Sequence, residues 1–92
     1  MREWYSNRFS CWVYLTGHAV SRMTERDIFL PMLVELIETG QMRVKDTKHF
    51  WIYRQFEARD DNFICVAVVR EEKLVIKTVM HRWELRENHV EY

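Results

Sequence analysis

Residues 33–44 read LVELIETGQMRV. Up to Gly40 the apolar residues recur at helical spacing: Leu33, Leu36 and Ile37 form one stripe, and Glu35 and Glu38 face away from it. After Gly40 the period drops from 3.6 to 2. A single glycine thus separates a helix from a run of strands, and that switch sets the fold class.

Working back from Gly40, Pro31 suits a first helical turn, where its missing N–H is not needed, so the spacing predicts a helix over 31–39. A second helix is expected over 17–26, with the Thr16 hydroxyl as its N-terminal cap. At 100° per residue Ala19, Val20 and Met23 share one arc, and His18, Arg22 and Arg26 fall in the adjacent one. The basic row borders the buried face. Before it, FSCWVYL (9–15) reads as a short first strand or extended lead-in.

Forward of Gly40, QMRVKD (41–46) alternates and is charged, as an edge strand would be. Thr47 and Lys48 turn the chain into HFWIYRQFE (49–57), a strand dense in β-formers. ARDDN (58–62) is a turn. FICVAVV (63–69) is apolar on both faces, like a central strand. REEK (70–73) closes a hairpin with LVIKTVMHRWEL (74–85), and the tail 86–92 is expected to fray. The expected architecture is α+β: two N-terminal helices packed on a mainly antiparallel sheet of about four strands, in one domain over 1–92.

Composition agrees. Four Trp, four Tyr and five Phe in 92 residues supply a core, and two Gly and one Pro leave little room for linkers. Net charge is zero, so attraction to phosphate must come from a local cluster. No apolar run approaches the ~20 residues that cross a bilayer, and MREWYSNRFS lacks a signal-peptide core. A cytoplasmic protein without membrane contact is expected. Cys11 and Cys65 have no CxxC or metal-ligand spacing, and two reduced thiols are expected.

Several polar residues invite a chemical reading. His18, Arg22 and Arg26 offer an acid/base imidazole beside guanidiniums able to hold phosphate, or else a wet helix face with an Arg22–Glu25 pair. On the last long strand, strict alternation puts Leu74, Ile76, Thr78, Met80 and Arg82 on one side, with Val75, Lys77, Val79, His81 and Trp83 on the other. Thr78 shares a face with Lys77 only if a bulge intervenes. Arg54 could join a polar row across the strands. Trp51, Tyr53 and Phe56 could stack on bases, although at strand spacing they more often pack a core. His18, His49, His81 and His89 form no zinc pattern, so no metal and no cofactor are expected. Phosphate-binding glycine loops, GxSxG elbows and paired carboxylates are absent, which leaves nucleotide-driven motors, α/β-hydrolases and typical glycosidases without support.

The order TGHAVSRMTERDI, LVELIETGQMRV, FICVAVVREEKLVIKTV resembles the bacterial domain of unknown function family 4258, over about 14–83. His18, Ala19, Arg22, Met23, Arg26 and Ile28 fit its first motif, H-A-x-x-R-M-x-x-R-x-I. That family looks related to BrnT-like toxins and to toxin ribonucleases of the barnase–EndoU–colicin–RelE class. The resemblance implies metal-independent RNA cleavage, held in check by an antitoxin or immunity protein. By position, His18 and Arg22 match the first motif and Thr78 the closing strand. Chemistry adds His81 as a second catalytic group, and Arg26, Arg54 and Lys77 as substrate-binding groups. The competing expectation is a non-catalytic interaction or homodimerising module of a toxin–antitoxin type system, docking through apolar strand faces and the Trp-rich ends.

Overall fold

A computed structural model describes residues 2–56, 63–80, 85–86 and 89–90. The chain opens with a hairpin, β1 (Glu3–Ser6) and β2 (Cys11–Leu15), and continues into α1 (Gly17–Glu25) and α2 (Leu30–Thr39). Four strands follow: β3 (Gln41–Val44), β4 (His49–Gln55), β5 (Phe63–Arg70) and β6 (Leu74–Met80). Two two-residue strands, β7 (Leu85–Arg86) and β8 (His89–Val90), pair with each other.

The helix ends follow their chemistry. Thr16 Oγ1 accepts from the Ala19 amide at 3.1 Å, as its capping role requires. At the other end of α1, Asp27 takes the left-handed conformation (φ 52°) and the Ile28 amide donates back to the Met23 carbonyl at 3.0 Å. That closure brings Ile28 down beside Met23 in the core. Gly40 follows α2 as expected, yet its φ is −70°, which any residue can adopt. Glycine is needed there for space. A Cβ would come within 2.7 Å of both Ile52 Cγ2 and the Leu36 carbonyl oxygen. The last carbonyls of α2 are served from a distance: Arg8 Nη1 donates to Ile37 O at 3.0 Å and Gly40 O at 2.7 Å. Glu38, expected to face away, instead accepts from the Ser6 hydroxyl and from the amides of Asn7 and Arg8. The β1–β2 turn is thereby pinned to the C-terminal end of α2.

The α+β class holds, but the sheet differs from the expected one. It has six strands in the order β1-β2-β6-β5-β4-β3 and is mixed, because β2 runs parallel to β6. The helices follow an N-terminal hairpin; they do not lead the chain. β1 is too short for its alternation to stand out. The parallel pairing of Val13 with Leu74 and Leu15 with Ile76 joins opposite ends of the chain, which local patterning cannot register.

One face of the sheet carries Val13, Leu15, Ile52, Ile64, Val66, Leu74 and Ile76 against Ala19, Met23, Leu33, Leu36 and Ile37 of the helices. On the other face Trp51, Tyr53, Cys65 and Met80 form a second buried cluster. β5 is thus apolar on both sides, as FICVAVV suggested, and burial pushes the Cys65 thiol far above its ordinary pKa.

β6 departs from strict alternation. Its pairing with β5 jumps from Val68–Ile76 to Ala67–Thr78, leaving Lys77 as the extra residue of a bulge. Val79 therefore joins Leu74 and Ile76 in the main core, and Met80 joins the outer cluster. The expected grouping of Thr78 and Met80 with Leu74 and Ile76 is corrected by that one residue. No helix among the described residues is long and apolar enough to cross a membrane. The expected turn at 58–62, and the expected strand across 81–84, lie outside the described residues.

Candidate functional site

β2 ends beside the midpoint of β6, and α1 takes over from there. Leu15 is the last residue of β2 to pair, opposite Ile76. Immediately after it, the Thr16 amide donates to Ile76 O at 3.3 Å and the Thr16 hydroxyl to the same oxygen at 2.8 Å, with Lys77 O 3.2 Å from that hydroxyl. At the far end of α1, Arg26 Nη1 donates to the Val79 carbonyl. Side chains thus satisfy the edge of β6 where a neighbouring strand is missing. They strap α1 along the bulged half of β6 at both ends.

Between the straps, His18 and Arg22 occupy the same edge of α1, one turn apart. Arg22 Nε donates to His18 Nε2 at 3.4 Å, and Arg22 Nη1 to Glu25 Oε2 at 2.9 Å. A guanidinium only donates, so Nε2 is the accepting nitrogen in this contact. His18 is exposed, and Arg22 is about two-fifths exposed at 38%. An open i,i+3 pair such as Arg22–Glu25 is worth ~0.3–0.5 kcal/mol. Its use is positional: Glu25 holds the guanidinium against the imidazole.

The remaining candidate residues lie elsewhere. Arg54 is on the helix-bearing face of β4, next to the C-terminal end of α2. Its Nη1 donates to Thr39 Oγ1 at 2.7 Å and lies 3.3 Å from Glu35 Oε1, with the guanidinium 5.0 Å from the Phe56 ring centroid. Lys77 and Thr78 line a hollow of about 180 Å³ on the opposite face, with Lys45, His49, Trp51 and Ala67. His18, Arg22 and Arg26 therefore share one seam, Lys77 and Thr78 lie on the other face of β6, and Arg54 belongs with α2. His81 and Arg82 fall outside the described residues. Trp51 and Tyr53 are each 8% exposed and Phe56 7%. All three pack cores.

The Arg22–Glu25 pair was read from its i,i+3 spacing as a surface contact, whereas the Asp46–His49 pair escaped sequence reasoning. His49 stands at β4's start, where its Nδ1 lies 2.9 Å from Asp46 Oδ1. Asp46 also accepts from the amides of Lys48 at 2.9 Å and His49 at 2.8 Å. The His49 side-chain bond first, and the two amides next, hold the Asp46 carboxyl down at about 2. Among the described residues no three His, Cys, Asp or Glu side chains stand close enough to hold a metal ion.

A family model described as Domain of unknown function (DUF4258) matches residues 15–81. The chain belongs to that family. The match begins at the end of β2 and runs through β6, so it takes in the α1–β6 seam. No curated protein and no solved structure matches the chain.

Proposed function

We propose that the protein is a small metal-independent endoribonuclease of the kind found among BrnT-like and RelE-type toxins, working in the cytoplasm and neutralised by an antitoxin or immunity protein. The observation that carries this reading is the contact between Arg22 Nε and His18 Nε2 on an open helix edge. His18 is exposed and serves no core, and its accepting nitrogen is next to the group best suited to receive a phosphate.

In the proposed reaction the phosphate draws Arg22 off His18 and leaves Nε2 free as a general base. The 2′-hydroxyl gives its proton to Nε2 and its oxygen attacks the adjacent phosphorus. The P–O5′ bond breaks, leaving a 2′,3′-cyclic phosphate and a 5′-hydroxyl. Arg22 balances charge on the phosphoryl oxygens. The second proton carrier, which returns a proton to the leaving O5′, is assigned to His81. Arg26 keeps α1 at its distance from β6 through Val79. Arg54, beside Thr39 and Glu35, and Lys77 and Thr78, on the other face of β6, stand away from this edge and have no part in the step.

The test compares the purified protein with its His18→Ala variant on mixed-sequence RNA in excess chelator. Cleavage by the variant is expected to fall ~10²–10⁴-fold with its fold intact. Equal rates would remove His18 from the mechanism.

A second reading has its own observation. Tyr5 and Trp12 are 50% and 51% exposed on the outer face of the β1–β2 hairpin, ring centroids 5.8 Å apart and edge to face. Exposed aromatics of this kind suit a protein-interaction or homodimerising module without catalysis. Intact RNA after prolonged incubation, together with a dimer lost on Trp12→Ser, would favour it.

A further inference from the structure

The hollow on the outer face has a specific composition. Trp51 of β4, Ala67 of β5 and Thr78 of β6 lie in one row across the sheet, paired in register. The small Ala67 between two larger neighbours leaves the depression. The bulge sets Lys77 beside Thr78 on one rim, and Lys45, next to the start of β4, stands on the other. From β4 to β6 is two strand spacings, roughly 10 Å. At about 180 Å³ the hollow is smaller than a drug-sized pocket and suits one planar ring with a small substituent.

Arg8, Arg22, Arg26, Arg54 and Lys73 all hold carbonyls or carboxylates. Lys45, Lys77 and the Thr78 hydroxyl have no hydrogen-bonded or ionic partner among the described residues. Lys45, Lys77 and Thr78 thus line the rims of one depression that also includes Trp51 and Ala67. No described carboxylate lines it. The nearby Asp46 is already engaged by His49 and two amides.

We infer that this hollow binds a phosphate-bearing planar ring, a nucleoside monophosphate in chemical class. The base lies over Ala67 against Trp51, the Thr78 hydroxyl bonds its polar edge, and the ribose and phosphate extend above the hollow, where the long Lys45 and Lys77 side chains reach in from the two rims. The site lies on the other face of β6 from His18 and does not depend on cleavage.

The test uses the full chain carrying His18→Ala, so that a failure of the nuclease reading has no bearing on it. Amide spectra are followed during titration with adenosine monophosphate, adenosine and inorganic phosphate in turn. The monophosphate is expected to give saturable shifts at Ala67, Val69 and Thr78, and to bind about tenfold or more tightly than either fragment. Lys45→Gln with Lys77→Gln is expected to weaken it by about tenfold and to flatten its salt dependence. Both substitutions are on exposed side chains, and an unchanged spectrum elsewhere verifies the fold. The inference is overturned if the monophosphate leaves these amides unmoved at millimolar concentration, or if the double variant binds it like the parent. It is also overturned if single-stranded oligonucleotides shift these amides and the monophosphate does not.

Discussion

The Thr16 hydroxyl donates to the Ile76 carbonyl at 2.8 Å, at the point where β2 stops pairing with β6 and α1 begins. The same oxygen caps α1 by accepting from Ala19. One side chain therefore starts the helix and fixes its distance from the strand. Thr16→Ala removes both bonds and is expected to cost about 1–2 kcal/mol. Thr16→Ser, which keeps the hydroxyl, should lose much less. Urea unfolding of the two variants separates them, and equal midpoints would show that the hydroxyl has no such double part.

Gly40 and Ile52 pack too closely for any side chain at position 40. A methyl group there meets Ile52 Cγ2 and the Leu36 carbonyl at 2.7 Å each. Gly40→Ala is expected to destabilise by about 1–3 kcal/mol, the usual range for overpacking. A helix-terminal Gly→Ala change without a clash would instead stabilise slightly. The direction of the thermal shift decides between the two.

Ser10, in the turn between β1 and β2, has φ 53°. A serine there bears the left-handed penalty that glycine escapes, and glycine in turn loses more entropy on folding. The net expectation for Ser10→Gly is a gain of about 0.5 kcal/mol, a rise of roughly 2–4 °C for a domain of this size. A fall in melting temperature would mean that the Ser10 side chain contributes a contact outweighing the strain.

Asp46 links the β3–β4 turn to pH. Its folded carboxyl is held down at about 2, from an ordinary value of 3.8. A depressed carboxyl stabilises the fold above its unfolded value and loses that contribution as pH falls from about 4 through about 2. A carboxyl-detected titration should give a midpoint near 2 for the parent. His49→Ala removes the largest cause and should move it up towards 3.8. An unmoved midpoint would leave the amides of residues 48 and 49 as the whole cause.

The helices were legible because each buries one periodic face, and β4 and β5 because they are dense in β-formers and bury both faces. The spans 31–39, 49–57 and 63–69 fall within two residues of α2, β4 and β5 at every boundary. What local pattern could not carry is register between distant elements. Arg54 reads as part of a polar row until α2 is laid over β4, and only then do Thr39 and Glu35 stand beside it. The bulge at Lys77 leaves no mark in LVIKTV, yet it decides that Thr78 leaves the Leu74–Ile76 face. The His18–Arg22–Glu25 chain was legible as spacing, since i,i+3 and i,i+4 neighbours meet on any helix. That its edge borders β6 required Arg26 and Val79.

The chemistry of the new RNA ends tests the central claim most directly. Purified protein is incubated with mixed-sequence RNA and with DNA of the same sequence, in excess chelator, and the fragments are analysed by mass. The account predicts fragments from RNA alone, ending in 2′,3′-cyclic phosphate and 5′-hydroxyl groups, and about 10²–10⁴-fold fewer of them with His18→Ala. Equal cutting of DNA, or RNA fragments bearing 5′-phosphates, would contradict 2′-hydroxyl attack assisted by His18.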